Sequence, residues 1–110
     1  MPKVCVIHGS ADITVPSSEA LTFSKTLNTA GCESSVKIYE NWSHTDPILE
    51  APMCGDQLLH RDVYDLVRGW YRTPVDGEAF EFDNFDDQIP ACKRIVPDWM
   101  AKCARKFNPF

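Results

Sequence analysis

The sequence predicts an α/β fold: strand, helix, parallel strand, helix, then an irregular tail that closes in a short helix. Three observations carry this. Lys3 is followed at once by Val4, Cys5, Val6 and Ile7, a continuous apolar run of the kind found in strands of parallel sheets buried on both faces. Apolar residues at helical spacing recur in two later stretches. Between those stretches lies S-V-K-I-Y-E, whose alternation is that of a strand.

Taken in order, the first strand gives way to the turn-rich H-G-S-A-D-I-T-V-P. Pro16 then suits the first position of a helix, where a missing N–H costs nothing. Ala20, Phe23, Leu27 and Ala30 form its apolar stripe, Glu19 lies near its positive end, and Gly31 suits a left-handed cap. The helix is expected from about Pro16 to Ala30. In the second strand Val36 and Ile38 alternate with polar residues, which places it at the rim and the first strand in the interior. Residues 41–55 are expected to be a loop, because Pro47 and Pro52 oppose regular structure. A final helix starts near Asp56, carries Leu59, Val63, Leu66, Val67 and Trp70 on one face, and is expected to end at Gly69 and Pro74.

Beyond Thr73 the composition changes, which divides the chain into residues 1–73 and a tail, 74–110. Asp76, Glu78, Glu81, Asp83, Asp86 and Asp87 occur without a base among them and are interleaved with Phe80, Phe82 and Phe85. After Cys92, Lys93, Arg94, Lys102, Arg105 and Lys106 face one acid, Asp98. A short helix begun at Pro97 would place Trp99, Met100, Cys103 and Phe107 on one face. Such a helix either docks on the domain or lies as a basic amphipathic helix on a membrane surface.

Composition narrows the function. A length of 110 residues allows at most one small domain, and 11 Lys plus Arg against 16 Asp plus Glu lack the basic surplus that nucleic-acid binding uses. No apolar run approaches the roughly 20 residues of a membrane span, and the N-terminus has no signal-peptide core. As written the chain reads as soluble and cytoplasmic. Cys5, Cys32, Cys54, Cys92 and Cys103 are odd in number and contain no C-x-x-C pair, which argues against a zinc site and a closed disulfide framework. Two strands do not make a covered parallel sheet. The expectation is therefore part of a larger domain.

Chemistry concentrates at the carboxyl ends of the two strands, where parallel sheets gather ligands and catalytic groups. Asp12 follows the first strand and His44 the second, and neighbouring strands lie only about 4.8 Å apart. A carboxylate beside an imidazole is what a hydrolytic triad requires: the acid fixes the tautomer and the base takes a proton from a nucleophile. Each residue alone reads as an ordinary surface-loop residue, and only their joint placement after consecutive strands puts the catalytic reading on an equal footing. His60 on the last helix reads as a solvated surface residue, and His8 as a structural residue at the strand end.

The stretch H-G-S-A-D-I-T-V-P, followed by S-H-T-D-P-I-L-E-A-P-M-C-G, resembles the end of an α/β-hydrolase. Within that superfamily the H-T-D segment and the closing K-R-I-V-P-D-W-M-A-K-C-A-R-K-F-N-P-F are similar to the isoprenylcysteine α-carbonyl methylesterases of plants and algae. The resemblance implies that Asp12 is the triad acid and His44 the base, in the C-terminal part of a serine hydrolase. It implies cleavage of the carboxyl methyl ester of a prenylated cysteine through an acyl-enzyme, without metal or cofactor. It further implies an endoplasmic reticulum or Golgi membrane location, with membrane-surface contact through the basic tail. Asp46 matches the H-T-D motif, and its role is open between capping or loop-orienting hydrogen bonds and catalysis. The chain departs from the pattern: no G-x-S-x-G elbow occurs, neither Ser10 nor Ser43 has the flanking glycines that the sharp turn needs, and the family's oxyanion-hole segment and membrane-spanning segments are missing from these residues too. A general carboxylesterase or formamidase of the same fold, and a non-catalytic interaction fragment, are the competing expectations.

Overall fold

The computed structural model describes residues 2–71 and 93–109. The acidic aromatic stretch 76–87, Pro74 and Cys92 lie outside the described residues. Among the described residues six elements follow one another: β1 (Val4–Gly9), α1 (Ser17–Thr29), β2 (Ser34–Tyr39), α2 (Glu50–Met53), α3 (Leu58–Tyr71) and α4 (Asp98–Phe107). β1 and β2 pair in parallel, from Val4 opposite Ser34 to Gly9 opposite Tyr39. The result is a small α/β structure with a two-stranded parallel sheet.

Helix α1 makes the crossover and packs on both strands. It starts one residue later than the sequence suggests, with Pro16 as the extended cap rather than the first helical residue. Its end is a Schellman turn: Gly31, at φ +82°, donates to the Asn28 carbonyl and Cys32 donates to that of Leu27. The buried face is not the expected one. Ala20 and Ser24 are buried, whereas Phe23 is 54% exposed. The Ser24 hydroxyl lies 2.7 Å from that of Ser34 at the start of β2, which turns the helix toward this polar contact and Phe23 away from it.

β1 is also corrected. Val4 to His8 are half-buried rather than enclosed on both faces, because β2 is its one paired neighbour among the described residues. Among the described residues β1 and β2 pair only with each other. The compact apolar part lies at the carboxyl end of the sheet, where Tyr39, Trp42 and Ala51 cluster with Ile7 and Leu59. The Tyr39 and Trp42 rings stack with centroids 4.4 Å apart.

The segment expected as loop contains α2, and Pro52 lies inside it. In the first turn of a helix the missing N–H has no intrahelical partner to lose, so proline is tolerated there. Asp56 accepts from the Leu58 amide and opens α3. Gly69 does not end that helix, which continues to Tyr71. A glycine in a helix costs about 1 kcal/mol relative to alanine, which is not enough to stop it. Asp62 ties α3 to β2 by accepting from the Tyr39 hydroxyl and pairing with Lys37 at 2.7 Å. Burial pushes the Asp62 carboxyl up, and these two partners outweigh that and hold it below its ordinary value.

Helix α4 starts after Pro97, as its sequence predicts, and packs against α2. The docked side is not the aromatic one. Ala101 is buried, whereas Trp99, Cys103 and Phe107 are exposed. Small residues let the helix approach α2 closely, and the polar groups described below hold it there. No helix among the described residues is long and apolar enough to cross a membrane.

Candidate active site

Asp12 and His44 meet beyond the ends of β1 and β2. The His44 Nδ1 lies 2.8 Å from Asp12 Oδ2. Two loops create this contact by crossing at Gly9. A Cβ on Gly9 would stand 2.1 Å from the Trp42 carbonyl oxygen, so the approach requires glycine. Around the crossing, Ser10 donates to the Tyr39 carbonyl, Ala11 to that of Trp42, and Asn41 to the Ser10 hydroxyl oxygen. Asn41 turns the chain out of β2 at φ +61°, a left-handed conformation that asparagine tolerates.

The acid is held by its own loop. Asp12 Oδ1 accepts from the amides of Thr14 and Val15, each at 2.9 Å. Oδ2 remains for His44. Burial raises the Asp12 carboxyl, but the Val15 amide, His44 and the Thr14 amide together bring it below its ordinary value. Asp12 is therefore an anion with both oxygens in use. A carboxylate facing Nδ1 assigns the proton to that nitrogen, which leaves the Nε2 lone pair as the basic atom. The His44 side chain is 48% exposed, and among the described residues no partner takes Nε2. A nucleophile could reach it.

His8 stands closer to this pair than a purely structural strand-end residue. Its Nδ1 is 2.8 Å from the Gly9 carbonyl oxygen and its Nε2 is 3.5 Å from Asp12 Oδ2. With Ile7, Gly9, Asp12, Val15, Ser43, His44 and Pro47 it lines an open cleft of about 280 Å³. His60 is exposed. Among the described residues no group of three or more His, Cys, Asp or Glu could hold a metal ion, and the four described cysteines are free thiols.

The loop that carries His44 is held from a distance. Asp46 has 0% exposure. Its Oδ2 accepts from the Ser43 amide at 2.8 Å, and its Oδ1 receives Arg105 of α4 through Nε at 2.9 Å and Nη2 at 2.8 Å. Asn108 adds a second tie, with Nδ2 at 2.7 Å from the Thr45 hydroxyl, 2.8 Å from Glu50 Oε1 and 3.0 Å from the Ser43 hydroxyl. Sequence reasoning did not find Arg105, Asn108 or Glu50. The one available signal was a single arginine among the lysines of an amphipathic helix, which suits a planar fork better than a solvated charge.

No protein-family model matches the chain, and no solved structure is a significant match. Curated relatives do match. The isoprenylcysteine alpha-carbonyl methylesterase of Arabidopsis thaliana is 31% identical over 112 residues, covering 100% of this chain and 24% of the relative. A probable isoprenylcysteine alpha-carbonyl methylesterase of Oryza sativa subsp. japonica is likewise 31% identical over 112 residues, with 25% of its length covered. A second probable methylesterase of that name from the same plant is 28% identical, with 24% covered. The curated homologues of this chain are thus isoprenylcysteine alpha-carbonyl methylesterases, which it matches from end to end while spanning about a quarter of their length.

Proposed function

We propose that this chain supplies the acid and the base of a serine-hydrolase triad, as the C-terminal part of an α/β-hydrolase that cleaves the carboxyl methyl ester of a prenylated cysteine. The observation that carries the proposal is the Asp12–His44 hydrogen bond at 2.8 Å, with the far side of the imidazole half exposed. The names of the relatives support the ester class.

In this mechanism Asp12 keeps the proton on Nδ1 of His44. Nε2 takes the hydroxyl proton of a serine as the serine oxygen attacks the ester carbonyl. The imidazolium, stabilised by Asp12, returns that proton to the departing methoxide, so methanol leaves and an acyl-enzyme remains. Water then attacks the acyl carbon, with His44 again accepting and returning a proton. The carboxylic acid is released and the serine restored. Neither Ser10 nor Ser43 fits the nucleophile: their hydroxyls serve Asn41 and the Asn108–Thr45 group. By this proposal the nucleophile is a serine outside these 110 residues. By the same proposal the chain divides into a hydrolase part, 1–73, and a tail, 74–110, acidic and then basic in composition.

The test uses the complete gene product that contains this chain. Hydrolysis of a prenylcysteine methyl ester, abolished by His44→Ala and faster than that of short-chain aryl esters, is the expected result. Preference for the aryl esters would instead indicate a general carboxylesterase or formamidase. Activity that survives His44→Ala would overturn the triad assignment. A second role is supported by the exposed Trp99, Cys103 and Phe107 beside Lys102 and Lys106, a combination suited to an anionic membrane surface. Binding to anionic liposomes that persists in the Asp12→Asn, His44→Ala double variant, in a protein without esterase activity, would make contact rather than catalysis its function.

A further inference from the structure

We infer that Arg105 is a positioning residue for His44, acting through Asp46 to fix the main chain on which the base stands. The inference rests on the role of His44 proposed above. Asp46 follows His44 by two residues and Ser43 precedes it by one. The Asp46 carboxylate accepts from the Ser43 amide and from Arg105, so a single group spans the base and ties both of its flanks to α4. Asn108 repeats the pattern on Ser43 and Thr45. The contacts from the tail fall on residues either side of His44, whose ring points instead to Asp12. Asp12 orients the imidazole, and Arg105 holds the backbone beneath it.

The chemistry explains why the tie is stiff. A carboxylate with no solvent contact stays charged only when paired and hydrogen-bonded. Two N–H groups of one guanidinium converge on Oδ1, a geometry that a lysine ammonium does not reproduce. Without Arg105 the buried charge is relieved by carrying the 43–46 loop toward water, and His44 moves with it. A displacement of about 1 Å at a catalytic group costs up to about 100-fold in rate.

The test compares Arg105→Gln, Arg105→Lys, the double variant Asp46→Asn, Arg105→Gln, and His44→Ala in the complete gene product, with a prenylcysteine methyl ester as substrate. Arg105→Gln lowers kcat by about 10- to 100-fold with KM held within about twofold, and Arg105→Lys recovers part of the loss. The low-field Nδ1–H proton resonance of His44 weakens in parallel. The double variant removes the buried carboxylate charge together with its partner, so it folds even where Arg105→Gln does not, and it shows the same loss of kcat. Wild-type kcat and an intact His44 resonance in a folded Arg105→Gln or double variant overturn the inference. So does a loss of activity that merely follows the folded fraction. A fully active His44→Ala sinks the hydrolase proposal instead, and the resonance, which needs no turnover, still decides the role of Arg105.

Discussion

The two loops that meet at Asp12 and His44 are held by opposite means. The acid loop is held without the tail: amides two and three residues away satisfy Oδ1, and its further ties run to Tyr39, Asn41 and Trp42 at the crossing. The base loop takes its ties from residues 59 and 65 positions further along, Arg105 and Asn108. A short peptide around Asp12 already carries the instructions for its turn, whereas one around His44 does not. Changes in the tail are therefore expected to reach the base and leave the acid untouched.

The strongest way to break this contrast is to remove either partner. On the proposed mechanism, Asp12→Asn reduces ester hydrolysis by the complete gene product by about 10⁴-fold and His44→Ala by about 10⁶-fold, measured as kcat, because one no longer fixes the tautomer and the other lacks the base. A small effect of Asp12→Asn would mean that the base is oriented from the tail alone. Next in size is Gly9→Ala, which places a carbon against the Trp42 carbonyl oxygen and forces the loops apart. A loss of about 1–3 kcal/mol in denaturant unfolding is expected, with lower activity at unchanged pH dependence.

A subtler test uses pH. The Asp12 carboxyl lies below its ordinary value when folded, so its stabilising contribution is complete above about pH 4 and lost as the pH falls further, through the folded value. The stability difference between the wild type and Asp12→Asn therefore narrows at acid pH. A difference that stays constant down to pH 2 would show that the carboxylate's charge is not what its amides hold. The smallest effect belongs to a contact outside both loops. Lys3 and Glu33 pair at 3.1 Å with both side chains largely exposed, and Lys3→Ala shifts stability by about 0.5 kcal/mol or less, with activity unchanged.

Local periodicity made much of the fold legible. The run from Val4 to Ile7, the stripe from Leu59 to Leu66 and the prolines at 16 and 97 announce their elements within a residue or two. Asp12 and His44 could be paired because adjacent parallel strands bring their carboxyl ends together whatever the intervening helix contains. The rest depended on partners remote in sequence. Phe23 has helical spacing but no partner among the described residues, and the hydroxyls of Ser24 and Ser34 decided which face of α1 is buried. Pro52 is a breaker by composition and a tolerated residue by position. Asp46 belongs to a segment expected as loop and Arg105 to the tail helix, and neither carries a sign of the other.

The crossing at Gly9 has a consequence for how the site comes and goes. The Ala11 amide bonds to the Trp42 carbonyl at 2.9 Å, so its proton can exchange with solvent only when the opposite loop has withdrawn. Both strands of the crossing thus share one opening event. Exchange at Ala11 becomes a clock for the crossing, and its rate measures how often the two loops stand apart.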